Sequence, residues 1–144
     1  MIASLFEFGP YLLSSNLRLL PNPFTWNRRF GLLFIDNPIG TGFRHLSSTI
    51  PRDRISIASH LYFSLQSLLS SYPPSFRSRP LFLSGESYGG KFVASAAYHI
   101  LHQNPIFPPS LRINLAGISI GNGMTHPAAQ VRVNAATACL RIFR

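Results

Sequence analysis

Cysteine is almost missing. Cys139 is the single thiol in 144 residues, so no disulfide can close within this sequence. That excludes a fold built on internal disulfides but leaves the redox compartment open. Acidic residues are nearly as scarce. Glu7, Asp36, Asp53 and Glu86 are the whole set, and no Asp or Glu follows Glu86. The five histidines are joined by no carboxylate or cysteine cluster, so no metal and no cofactor is expected. Long apolar runs are lacking too. The longest are broken by Pro, Arg or Gly before the roughly 18 residues that a membrane-spanning helix needs, and no membrane partner is expected. There is no repeat, no low-complexity linker and no Asn-x-Ser/Thr sequon. The opening Met1-Ile2-Ala3-Ser4-Leu5-Phe6-Glu7 has no basic start and no long apolar stretch, and it does not read as a signal peptide.

What remains is apolar and basic. Hydrophobic residues make up 46% of the chain and charged ones 12%, against about 25% charged in ordinary soluble domains. The length suits one domain or part of a larger one. The net charge of +9 comes from thirteen basic residues, all arginine except Lys91. A charge of that size invites a nucleic-acid reading. The arginines, however, are scattered (Arg28, Arg52, Arg77, Arg112, Arg132, Arg144), and no zinc spacing or recognition-helix pattern goes with them. No nucleic-acid partner is therefore expected. Loss of the acidic segments of a larger, balanced protein explains the excess as well. Composition leaves the oligomeric state undetermined.

Residues 10–30 read as loop, punctuated by Pro10, Pro21, Asn22, Pro23 and Asn27. The apolar run 31–36 ends in a turn cluster and predicts a strand buried on both faces. Asp53 opens a helical stretch over about 53–71, as N-cap or in the first turn. Ile57, Leu61, Leu65, Leu68 and Leu69 recur there at helical spacing, and Tyr72-Pro73-Pro74 ends it. Residues 80–84 predict a second strand. A helix over about 88–103 follows, with Phe92, Val93, Ala96, Ala97, Ile100 and Leu101 on its apolar face. Residues 113–120 predict a third strand. Strands alternating with helices in this way predict an α/β fold with a parallel sheet and flanking helices. Three parallel strands would leave apolar surface open, which fits a fragment of a larger domain.

The second strand runs straight into Gly85-Glu86-Ser87-Tyr88-Gly89, a Gly-x-Ser-x-Gly pattern. Such a serine sits on a sharp strand-to-helix turn that lifts its hydroxyl above the sheet. Side chains two positions either way are expected to collide across that turn, hence Gly85 and Gly89. The Tyr88 N–H would lie at a helix N-terminus, where it can donate to an oxyanion. A capping serine in an ordinary turn is the bland alternative. The preceding strand and following helix favour the nucleophile.

Gly85-Glu86-Ser87-Tyr88-Gly89-Gly90-Lys91-Phe92-Val93 resembles the nucleophile signature of the serine carboxypeptidases, the S10 peptidases. Glu7-Phe8-Gly9-Pro10, Trp26-Asn27 with residues 33–43, and Ile118-Ser119-Ile120-Gly121-Asn122-Gly123 resemble further blocks of that family in the same order. The likeness spans about residues 5–130 and is similar to plant serine carboxypeptidase-like proteins. It implies an α/β-hydrolase fold fragment over residues 1–144, with a divergent tail at 131–144. It further implies Ser87 as catalytic nucleophile, Tyr88 as an oxyanion donor, and Glu86 with Glu7 as binders of the C-terminal carboxylate of a peptide substrate. Carboxyls gathered around a carboxylate repel one another unless protons are shared, which implies acidic working conditions in the secretory pathway, vacuole or extracellular space. Departures are Gly89, where the family usually has Ala, Ala94 in place of a usual proline, and His126, where an acid is common.

The family's upstream Gly-rich oxyanion segment is absent. Its catalytic order Ser, Asp, His cannot be completed here, because no acid follows Glu86 and none of His45, His60, His99, His102 and His126 stands in the right block. His99 and His102 read as surface or packing residues. The expectation is a serine-type carboxypeptidase that is truncated and inactive alone. The alternatives are an acyltransferase of the same fold, where Asp commonly precedes the serine, and a non-catalytic remnant or binding module.

Overall fold

The structure, a computed structural model, describes residues 3–42 and 50–133. The chain divides into two compact units, Met1–Ile50 and Pro51–Arg144.

In the first unit a π-helical turn, Ala3–Glu7, leads to a short antiparallel pair, β1 (Tyr11–Leu13) and β2 (Leu19–Pro21). Residues 10–30 are thus not loop throughout. The strands have three residues each, and β2 ends on a proline, a residue usually excluded from ladders. Leu17, at φ +59°, makes the bend between them. The buried group that gathers this unit is polar. Asn22 Nδ2 donates to the carbonyls of Glu7 and Gly9, both at 2.9 Å, and its Oδ1 accepts from the Phe24 N–H at 2.9 Å. Phe8 stacks on Trp26 with ring centroids 4.5 Å apart. The run 31–36, read from its hydrophobicity as a buried strand, joins no ladder among the described residues. An extended apolar run becomes a strand only when another strand pairs with it.

The second unit follows the expected alternation. Asp53 caps α1 (Arg54–Ser70), its carboxylate accepting the Ser56 N–H at 2.8 Å. A single turn, α2 (Pro74–Arg77), leads to β3 (Leu81–Glu86), α3 (Gly89–Gln103) and β4 (Leu115–Gly121). β3 and β4 are parallel neighbours, Leu83 facing Ile118 and Glu86 facing Gly121, with a register shift between Leu81 and Phe82. Residues 127–133 are helical.

Helices α1 and α3 pack through Ile57, Ala58, Tyr62 and Leu65 against Val93, Ala96, Ala97 and Ile100. Of the residues expected on the two apolar faces, Leu101 is 58% exposed, and Leu61, Leu68 and Leu69 are only half-buried. Tyr62 is buried in their stead. Its phenol oxygen accepts from Gln66 Nε2 at 2.9 Å, which lets an aromatic with a polar tip enter the core. Arg77 ties the N-terminal edge of the sheet, donating to Gln66 Oε1 at 2.6 Å and to the Leu111 carbonyl at 2.9 Å. Apolar side chains of the sheet stand open among the described residues, with Phe82 60% and Ile118 49% exposed on opposite faces. No described helix is long and apolar enough to cross a membrane.

Candidate active site

β3 alternates half-buried and exposed positions up to Glu86. The chain then turns at one residue. Ser87 stands at φ +53°, in the left-handed region that a β-carbon disfavours. Tyr88 is already helical (φ −62°, ψ −22°), and α3 begins at Gly89. A strand therefore becomes a helix within one strained peptide unit, with Ser87 exposed. This is the bend that a nucleophile elbow needs.

Two hydrogen bonds from the turn leaving β4 grip that unit. The Ser87 N–H donates to the Gly121 carbonyl at 3.0 Å, and the Met124 N–H donates to the Ser87 carbonyl at 2.7 Å. On the helix side the Gly90 N–H also reaches the Ser87 carbonyl at 3.1 Å. The Tyr88 N–H has no acceptor among the described residues, as befits the first turn of a helix. The Tyr88 ring is 50% exposed and meets Phe92 edge-on at 5.1 Å, with Lys91 Nζ 4.9 Å from its centroid.

The glycines divide differently from the expectation. A β-carbon at Gly85 would lie 2.8 Å from Val93 Cγ2 and 3.0 Å from the Gly89 carbonyl oxygen, so this position does require glycine. A β-carbon at Gly89 would meet nothing within 4 Å among the described residues, so the expected collision there is not found. The tight place is the next residue. A β-carbon at Gly90 would lie 3.0 Å from Gly123 Cα and 3.1 Å from Ile120 Cγ2. Gly90 and Gly123 let the start of α3 and the turn after β4 approach closely. Sequence reasoning tied the constraint to the five-residue pattern and missed the second contact, whose signal was the Gly-Asn-Gly at 121–123.

Glu86, Ser87 and Tyr88 are thus brought together on one exposed turn, with Glu86 at the end of β3 opposite Gly121. Glu7 is exposed and ends the first turn of the other unit. His99 packs edge-on to Tyr62 at 5.4 Å, and His102 Nδ1 lies 2.9 Å from the Tyr98 carbonyl, so both have packing or surface roles. His126 Nδ1 accepts the Ala129 N–H at 3.1 Å and caps the last helical segment. His45 and Cys139 lie outside the described residues. No group of three metal-ligating side chains converges among the described residues. Hollows of about 560 Å³ beside Trp26 and about 470 Å³ beside Arg77 and Arg112 are lined by none of Glu86, Ser87 and Tyr88.

The family described as serine carboxypeptidase, Peptidase S10, matches residues 1–140. Serine carboxypeptidase-like 50 of Arabidopsis thaliana is 44% identical over 138 residues, which cover 94% of this chain and 30% of that protein. The probable serine carboxypeptidase CPVL of Dictyostelium discoideum is 42% identical over 127 residues, 87% of this chain and 25% of the relative. Among solved structures, a prohormone-processing carboxypeptidase from Saccharomyces cerevisiae superposes with a TM-score of 0.89 at 28% identity, covering 100% of this chain and 32% of that one. The chain therefore spans about a third or less of the proteins it resembles. With the strained serine between parallel strand and helix, and with that match along most of its length, the chain belongs to the serine carboxypeptidase family and carries part of its α/β-hydrolase fold.

Proposed function

We propose that the protein to which this chain belongs is a serine carboxypeptidase, releasing C-terminal residues from peptides by acyl transfer at Ser87. The observation that carries the reading is Ser87 itself, exposed and held at φ +53° where β3 turns into α3. Its hydroxyl attacks the last peptide carbonyl, the amine leaves, and water hydrolyses the acyl-enzyme. The Tyr88 N–H, at the head of α3, stabilises the oxyanion. Glu86 and Glu7 receive the substrate's terminal carboxylate. Resemblance to the family supports a secretory, vacuolar or extracellular setting. Glu86 immediately before the nucleophile supports hydrolysis of peptides over acyl transfer to alcohols.

Two elements of the chemistry lie outside these 144 residues. No acid follows Glu86, and among the described residues the histidines serve packing, capping or surface roles or, for His60, bury an Nδ1 without a partner. The proton acceptor and its orienting carboxylate come from other parts of the fold. Loss of a triad histidine costs about 10⁶ in turnover in a related chemistry. Residues 1–144 alone, given an N-blocked dipeptide in mildly acidic buffer, are therefore expected to show no turnover above a Ser87→Ala control. Ser87-dependent hydrolysis at a rate comparable to that of a complete relative refutes this.

A further inference from the structure

A left-handed serine persists only if its surroundings over-determine it. The grip on Ser87 comes mainly from residues 121–124, through the Gly121 carbonyl and the Met124 N–H. That turn is itself irregular. Asn122 also stands at positive φ, +44°, and residues 122–126 belong to no helix or ladder. Its shape must be set by something else.

One half-buried side chain spans it. Gln130 Oε1 accepts the N–H groups of Thr125 at 3.0 Å and His126 at 3.2 Å, while Gln130 Nε2 donates to the Gly123 carbonyl at 2.7 Å. These three bonds bracket Met124, the residue whose N–H holds Ser87. The carboxamide accepts at one atom and donates at the other, which an ionised carboxylate cannot do. The helix at 127–133 has its own cap in His126 Nδ1, which receives the Ala129 N–H at 3.1 Å, so starting that helix does not depend on Gln130 alone. Gly123 cannot take a side chain to stiffen the turn, since a β-carbon there would overlap Ile120 Cγ2.

We propose that Gln130 is a positioning residue for the nucleophile, setting the turn at 123–126 so that Met124 can hold Ser87 in its left-handed conformation. The inference rests on the reading of Ser87 as nucleophile. The geometry of the elbow is then maintained from the segment that follows β4, by a residue that touches neither substrate nor reacting atoms.

The test uses the ¹⁵N-labelled 144-residue chain, with amide exchange at Met124 and the backbone N–H/Hα coupling at Ser87 as readouts. Gln130→Ala should speed Met124 exchange by about tenfold or more and move the Ser87 coupling off its left-handed value, with amides in β3 and the middle of α3 unchanged. Gln130→Glu keeps both acceptor contacts and loses the donor, so it should give a smaller acceleration. His126→Ala, which removes only the cap, should leave both readouts as in the parent. If Gln130→Ala unfolds the sheet, the Gln130→Glu result decides. The proposal is overturned if Gln130→Ala, or in that event Gln130→Glu, leaves Met124 and Ser87 unchanged. It is also overturned if His126→Ala perturbs them as strongly as Gln130→Ala. A parent chain whose Ser87 is not left-handed at all sinks the nucleophile reading first and this inference with it.

Discussion

In the unit that holds Ser87, a dry core forms from Ile57, Tyr62, Leu65, Val93, Ile100 and their neighbours, with Ile100 fully excluded from solvent. The preceding unit is organised in the opposite way. Its buried residues among those described are Gly9 and Asn22, and the Asn22 amide knits Glu7, Gly9 and Phe24 together. Burial of apolar surface is non-directional and leaves a periodic trace in sequence. A hydrogen-bonded hub depends on one residue meeting partners 13 and 15 positions away, which leaves no local trace. The contrast explains why one region was legible and the other was not.

That contrast can be broken by substitution, beginning where the effect is largest. Ile100→Ala removes the most enclosed side chain and should cost about 2–5 kcal/mol in the stability of residues 51–133, read by denaturant-dependent amide exchange. Asn22→Ala should cost about 1–3 kcal/mol, because it strands two carbonyls and an N–H, and its loss of protection should centre on residues 7–26. If Asn22→Ala is silent while Ile100→Ala is severe, the polar hub is not what holds the first unit.

Within the elbow the comparison sharpens to adjacent glycines. Gly90→Ala should destabilise by about 1–3 kcal/mol through its contact with Gly123. Gly89→Ala should be neutral, or stabilising by up to about 1 kcal/mol, because alanine is the better helix former and the space is open. Equal effects at the two sites contradict the account of the turn.

The smallest expected effect is at Asp53. The Ser56 backbone N–H that it accepts holds its carboxyl below the ordinary value. A carboxyl lowered on folding contributes stability that is present above its unfolded value and is lost as pH falls through the folded one. Protection of the first turn of α1 should therefore fade on acidification. In Asp53→Asn, which keeps a capping oxygen, it should be insensitive to pH over that range. Identical pH profiles for the two chains dismiss the cap as the source.

Much of the second unit was readable. The apolar spacing and proline stops placed α1 and α3, and short apolar runs before glycine turns placed β3 and β4. The Gly-x-Ser-x-Gly pattern pointed to the bend at Ser87. Where the reading failed, a third body was needed. Residues 31–36 have the composition of a strand but no ladder partner among the described residues. Of the two glycines that open α3, the constrained one is Gly90, because its constraint comes from Gly123 across the fold. Gln130 carried no signal, since a lone amide in a polar stretch looks like any surface residue until its three partners are seen.

The central claim is that Ser87 is the nucleophile of a peptidase whose other catalytic groups lie in the remaining two-thirds of the family fold. Grafting residues 1–130 in place of the corresponding segment of an active, complete relative tests it most directly, with hydrolysis of a C-terminal peptide bond and covalent labelling by a serine-directed fluorophosphonate as readouts. The account predicts acidic-pH hydrolysis and labelling at Ser87, both abolished by Ser87→Ala. Activity that survives Ser87→Ala, or a folded graft that neither hydrolyses nor labels, would contradict it.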